Sequence, residues 1–223
     1  MIKQTEMEAP FCDLLLNRNI YEDWDRLRMS TIITLAKPNQ NGPVSLEQAI
    51  AARRSRRSFL TQPVTLEQIG QLAWAAQGKH ASSRYRTAPS AGATYPLELF
   101  LVTDQGLFQY LPAKHSLEKL TDQDLRPALA SAAWGQEFVE AAPLTLVFAA
   151  QFSRTTKRYG QRGIRYVYME AGHAAQNVHL QAEALGLGSV AVGAFDDASV
   201  SKVLSLPDYL EPLYMVVVGH CRS

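Results

Sequence analysis

Apolar positions along this chain alternate between helical and strand spacing. Ser45-Leu46-Glu47-Gln48 and Thr65-Leu66-Glu67-Gln68 are both capping-box sequences. Leu46, Ala49 and Ile50 follow the first at helical spacing, and Leu66, Ile69, Leu72 and Ala73 follow the second. The spacing predicts helices over 45–54 and 65–78, the latter ending near Gly78. Two apolar runs, Leu97–Thr103 (LELFLVT) and 107–111 (LFQYL), flank Asp104-Gln105-Gly106 and predict a hairpin. A helix is expected over 122–140. The continuous apolar run 143–150 reads as a central strand. A long helix over 163–185 ends at Gly186. Residues 189–195 form a short small-residue strand or extended loop. Asp196 or Asp197 caps a helix through Leu204, and 213–220 (LYMVVVGH) is the last buried strand. Interleaved helices and strands with one hairpin imply an α+β fold, a mainly antiparallel sheet packed by helices.

Residues 1–36 are irregular, with an aromatic and charged run, IYEDWDRLR, suited to a short helix or an arm. Residues 37–43 (KPNQNGP) have linker composition. The expected organisation is an arm and linker over 1–44 and one domain over 45–223. A chain of 223 residues buries a sufficient core without a disulfide or metal. Its 22 basic and 21 acidic side chains lack the broad basic field that nucleic-acid binding needs. Cys12 and Cys221 stand at opposite ends, without CxxC or zinc spacing, which points to a reduced, cytoplasmic setting. The start lacks the basic and apolar regions of a signal peptide. The longest nearly uncharged stretch, 141–152, is too short to span a bilayer. Neither a nucleic-acid nor a membrane partner is expected.

Three segments carry candidate chemistry. The first is Arg53-Arg54-Ser55-Arg56-Arg57, four guanidiniums in five positions at a helix end. Their repulsion is offset either by solvation and the negative end of the helix dipole, or by a bound dianion. A hydroxyl among forked guanidiniums matches phosphate oxygens. The second, Thr87-Ala88-Pro89-Ser90-Ala91-Gly92-Ala93-Thr94-Tyr95-Pro96, is a tight loop of small side chains. It is also a surface that lets a flat aromatic ligand reach backbone groups. The third is the long helix, rich in Ala, Gly and amides, as suits close helix packing or a dimer seam. Its His173 and His179 are six apart and share no face at metal-binding spacing, so no metal is expected. Gly186-Leu187-Gly188 passes from helix into strand and position 191 is Ala, which excludes a dinucleotide fingerprint. With no hydrolytic motif, any chemistry falls to a cofactor.

Taken in order, RRSRRSF, PSAGATYPLE, RYGQRGIRY, EAGHAAQNVHLQAEALGLGS, VGAFDD and VVVGH resemble the FMN-dependent nitroreductase superfamily, in its SagB-type, thiazole/oxazole-oxidase-like branch. The resemblance implies a nitroreductase-like α+β fold, an intertwined homodimer and two FMN molecules at the subunit interface. By that likeness Arg53 would hold the 5′-phosphate, Ser55 the phosphate or ribityl side, and Arg57 the N1/C2=O edge. Arg54 joins them and Arg56 falls to the surface. Pro89, Ser90, Ala91 and Gly92 would line the isoalloxazine. Val192, Gly193 and Ala194 would pass its opposite side or edge, and Arg222 would add a second phosphate charge. NAD(P)H would be a transient donor stacked over the flavin. The chain departs from the family at Ala93, where many members carry Asn, and at Tyr95, where Gln stands. The Lys-Tyr pair of azoline oxidases becomes Arg158-Tyr159. An Arg is a poor general base, which leaves Tyr159 as the catalytic candidate. The substrate would be a small molecule or peptide-derived. The alternatives are an NAD(P)H-dependent reductase of nitro or quinone-like molecules, and a flavin-fold binding subunit with reduced catalysis.

Overall fold

The computed structural model describes residues 31–80 and 83–221. Seven strands form one antiparallel sheet: β1 (Thr31–Thr34), β2 (Leu97–Thr103), β3 (Gly106–Leu111), β4 (Ser116–Thr121), β5 (Leu144–Ala150), β6 (Gly188–Val192) and β7 (Glu211–Gly219). Their spatial order is β1-β4-β3-β2-β5-β7-β6. Seven α-helices are described: α1 (Leu46–Ala52), α2 (Leu66–Gln77), α3 (Arg126–Ala132), α4 (Glu137–Ala141), α5 (Ser153–Tyr159), α6 (Arg162–Ala184) and α7 (Asp197–Val203).

The central strands are buried on both faces, which is why the β5 sequence is apolar without alternation. Leu97, Leu99, Leu101, Leu144, Leu146, Phe148, Val216 and Val218 point to one core, with residues of α2 and α6. Phe100, Val102, Val147, Ala149, Met215 and Val217 point to the other, with α3, α4 and α7. Phe100 pairs with Val147, and Val147 with Met215, so three neighbouring strands add to the second core at one level. Phe148 and Leu146 are wholly buried, each worth about 1.5–3 kcal/mol by burial alone.

Both capping boxes form. The Ser45 hydroxyl accepts from the Gln48 N–H, and the Gln48 side chain accepts from the Ser45 N–H; Thr65 and Gln68 do the same. Asp196 caps α7 by accepting from the Ser199 N–H.

Several expectations need correction. The single helix over 122–140 is two short helices, split where Trp134 and Gly135 both take positive φ. The ordered domain reaches upstream of residue 45: β1 pairs with β4, and Leu35 is buried in the first core. Residues 116–121 and 153–159, left without an element by the sequence, are β4 and α5. Residues 1–30, including the expected IYEDWDRLR arm and Cys12, lie outside the described residues, as does Arg222.

Candidate active site

The site is organised along α6, whose buried residues recur at helical spacing: Gly163, Val167, Glu170, Ala171, Ala174, Val178 and Ala182. Its C-terminal half meets the arginine cluster. Ser55 forms a parallel bridge with Ser189 in β6, and the Arg56 N–H donates to the Ser189 carbonyl at 3.0 Å. Beneath that bridge, the Ser189 hydroxyl and His179 Nδ1 are 2.7 Å apart. Burial pulls the His179 imidazole below its ordinary pKa, and the charge of Arg53 pulls the same way.

Arg56 does not stand free at the surface. It is ion-paired with Glu183 of α6, both largely shielded from solvent. Gly188 lets that side chain pass, because a Cβ there would collide with Cys221 Sγ and press on Arg56. Among the described residues no carboxylate lies within ion-pair distance of Arg53, Arg54 or Arg57. Arg53 is half-buried, whereas Arg54, Ser55 and Arg57 are exposed. One arginine of the four is thus committed to structure, and three carry charge that a phosphate dianion fits.

The Arg57 guanidinium lies 5.9 Å from the centre of the Phe138 ring. Two residues before Phe138, Gln136 Nε2 donates to the Ala194 carbonyl at 2.8 Å. The turn between α3 and α4 therefore links Arg57 to the Val192–Gly193–Ala194 segment. Val192 is buried, while Gly193 and Ala194 are exposed.

The N-terminal half of α6 meets the small-residue loop. A 3-10 turn over Ala91–Ala93 puts Gly92, Ala93 and Tyr95 at φ of 60°, 53° and 47°. Left-handed conformation at two non-glycine residues in one short loop is stored strain, held in place by neighbours. The Tyr95 N–H donates to Ser90 Oγ at 2.9 Å, and Thr94 Oγ1 is 2.8 Å from Thr155 Oγ1 of α5. Asn177 of α6 donates to the Ala75 carbonyl at 3.0 Å, pinning α2 to α6 just below the loop.

Arg158 Nη1 donates to the Gly92 carbonyl at 3.4 Å. The Tyr159 hydroxyl lies 2.6 Å from where a Cβ on Gly92 would stand. The Tyr159 ring packs edge-on against Tyr166, with centroids 5.3 Å apart. Two segments singled out separately in the sequence thus meet at Gly92. A separate cleft of about 560 Å³ is lined by Phe152, Thr156, Gly160, Gln161, Ile164, Tyr168 and Glu211, and includes neither Gly92 nor Tyr159.

Sequence reasoning missed Glu170 and Arg86 behind the loop. Glu170 is 2% exposed, and burial pushes its carboxyl up to about 7, against the pull of the Ser90 hydroxyl and Arg86. Arg86 Nη1 donates to Gln77 Oε1 at 2.7 Å, and its guanidinium lies 4.6 Å from the Tyr95 ring centre. The signal for Glu170 was present: it lies on the apolar stripe of α6, where an acid is out of place.

The arginine cluster and the loop sit at different levels of α6. His179, near Arg53, and Glu170, near Ser90, are nine residues apart, about 14 Å along a helix axis.

The arginine cluster and the strained small-residue loop both pack against one long helix of a layered α+β fold. Residues 50–220 match the Nitroreductase family, and the chain belongs to that family. It is 42% identical to a Methanocaldococcus jannaschii protein named as a nitroreductase, over 79% of this chain and 91% of the relative. It is 27% identical to the FMN reductase [NAD(P)H] of Bacillus subtilis, over 78% of this chain and 64% of that protein. The microcin B17-processing protein McbC of Escherichia coli is 29% identical over 54% of this chain and 48% of its own length. A crystal structure of a Ralstonia eutropha protein, also described as a nitroreductase, superimposes with a TM-score of 0.79 at 32% identity. The match covers 86% of this chain and 90% of that one. The chain is therefore a nitroreductase-family oxidoreductase. No helix among the described residues is long and apolar enough to cross a membrane.

Proposed function

We propose that this chain is an FMN-dependent oxidoreductase of the SagB-type branch, and that each flavin lies between two copies. One observation carries this reading: three of the four clustered arginines have no carboxylate partner among the described residues, and they and a strained, partly exposed loop sit at separate levels of one long helix. Arg53 and Ser55 bind the phosphate end and Arg54 adds charge. Arg57 places a guanidinium at the ring edge, where it favours the negative charge that reduction creates. Gly193 and Ala194 offer exposed backbone beside Arg57. Pro89, Ser90, Ala91 and Gly92 of the second copy cover the ring. Bound FMN supplies the two-electron chemistry.

The surface around the site supports the second copy. Leu46 and Ile50 on α1 and Tyr168 and Met169 on α6 are all at least half exposed. Apolar side chains left bare on two adjacent helices suit a two-fold interface that buries them against themselves.

The catalytic group is Tyr159. An arginine is a poor general base, whereas the Tyr159 phenol stands at Gly92, where the substrate would approach the ring. The similarity to McbC favours a peptide-derived azoline as substrate, and Arg158, standing where azoline oxidases carry Lys, counts against it. A second reading, an NAD(P)H-dependent reductase of nitro or quinone-like molecules, is favoured by the similarity to the B. subtilis FMN reductase, which spans more of the chain.

Stopped-flow absorbance of the FMN-loaded protein separates the two readings. Bleaching by an azoline peptide but not by NADPH supports the oxidase, and rapid bleaching by NADPH supports the reductase. Purified protein that is colourless and fails to take up added FMN would defeat both.

A further inference from the structure

We propose that Tyr95 is a positioning residue for the bound ring. It holds the strained Pro89–Gly92 loop in one place against α5, and so sets where the ring lies relative to Tyr159. The proposal rests on the FMN reading above.

The loop needs outside support to keep its shape. Gly92, Ala93 and Tyr95 have φ of 60°, 53° and 47°. Glycine tolerates this region, but a Cβ crowds the backbone there and a bulky side chain is rarely found in it. Bonds within the loop close the turn: the Ala93 N–H donates to the Ser90 carbonyl at 3.0 Å, and the Tyr95 N–H to Ser90 Oγ at 2.9 Å. They do not tie it to the rest of the domain.

Tyr95 makes that tie on three sides. Its hydroxyl accepts the Arg86 N–H at 3.1 Å, its ring centre lies 4.6 Å from the Arg86 guanidinium, and its carbonyl accepts from Arg154 Nη1 at 3.1 Å. Both arginines are themselves fixed. Arg86 Nη1 donates to Gln77 Oε1 of α2 at 2.7 Å and to the Leu97 carbonyl of β2 at 3.4 Å. Among the described residues no carboxylate lies within ion-pair distance of Arg86, so the Tyr95 ring is a face that receives its charge. Arg154 is ion-paired with Glu98 at 2.7 Å, and its Nε donates to Gln151 Oε1 at 2.7 Å.

Tyr95 therefore joins the loop to α2 and β2 through one arginine and to α5 through the other. Thr94 adds a bond to Thr155 of α5 at 2.8 Å. The same helix carries Tyr159 to Gly92, so loop and tyrosine share one frame. Ala91, Gly92 and Ala93 have no side chain long enough to anchor the turn, and the task falls to the first large residue after them. A loop already held in its strained form gives up little further freedom when the ring arrives, which raises affinity.

The test compares the full-length wild type with Tyr95→Phe, which keeps the ring beside Arg86 and removes the hydroxyl, and Tyr95→Leu, which removes both. Amide exchange across residues 90–95 is followed in the apoprotein, FMN affinity by fluorescence quenching, and the ring's surroundings by visible circular dichroism of the bound flavin. In Tyr95→Phe, loop exchange is expected to quicken about fivefold or more and FMN affinity to fall by a similar factor, with larger changes in Tyr95→Leu. The dichroism bands should shift in both variants, which a tyrosine that only adds stability would not cause. Wild-type affinity and dichroism in folded Tyr95→Phe overturn the proposal, and so does unchanged loop exchange. If Tyr95→Leu does not fold, Tyr95→Phe decides alone. Unmoved exchange with normal FMN binding defeats this proposal and leaves the flavin reading standing. If no protein, wild type included, takes up FMN, the flavin reading fails and the ring-positioning role fails with it, whatever the exchange shows.

Discussion

Tyr159 and Gly92 share one point in space: the phenol oxygen lies 2.6 Å from where a glycine Cβ would be, and Gly92 holds φ of 60°. Gly92→Ala therefore meets both a left-handed backbone and the tyrosine. Loss of stability of about 1–2 kcal/mol is expected by chemical denaturation. Tyr159→Phe keeps the ring packing on Tyr166, so it should retain fold and FMN affinity while turnover falls. Normal turnover in Tyr159→Phe would remove the tyrosine from the mechanism.

Arg53 and Arg56 should separate binding from stability. Arg53→Ala removes a charge with no carboxylate partner among the described residues. FMN affinity should fall at least about tenfold by titration, with little change in unfolding. Arg56→Ala leaves the mostly buried Glu183 unpaired and should cost about 1–3 kcal/mol of stability, with FMN affinity largely kept. The opposite pattern would reverse the assignment of the two arginines.

Glu170 also predicts how the apoprotein responds to pH. Its folded pKa of about 7 lies above the ordinary value of 4.5, so the unfolded state releases this proton first as pH rises. The contribution of Glu170 is fully present below about 4.5 and is lost as pH rises through about 7. Relative to wild type, Glu170→Gln should gain stability across that window. Denaturant midpoints at both ends check it; a constant difference would show that Glu170 does not titrate there.

The bare face of α1 and α6 predicts a particle of about twice the 24.7 kDa chain mass by light scattering. Met169→Asp places a charge on that face and should yield monomers that bind FMN poorly. A flavin-loaded monomer would contradict the shared site.

Much of this architecture was readable because local signals agreed with the fold. Ser45/Gln48 and Thr65/Gln68 specify their caps within four residues, and the apolar run of β5 needs no partner to be recognised. What was missed depends on tertiary context. β4 (SLEKLT) has one strongly buried apolar side chain, Leu117, and gains its strand conformation from pairing with β3 and β1. The break at Trp134-Gly135 follows a glycine that a helical reading of 122–140 passed over. In the site, the arginines and the proline-bracketed loop stood out by composition. Nothing local shows that Glu183 removes Arg56 from the cluster, or that Arg86 and Glu170 back the loop, because those pairings span 127 and 84 residues.

The central claim is that one copy supplies Arg53 and the other supplies the Pro89–Gly92 loop. Co-expression of an Arg53→Ala chain with a Gly92→Trp chain, each with its own purification tag, tests it directly. Neither homodimer should hold FMN, but the mixed dimer has one site built from the two intact halves. The account predicts one FMN per mixed dimer. No FMN in the mixed dimer, with both parent chains folded, would show that both halves must come from the same chain and would contradict the account.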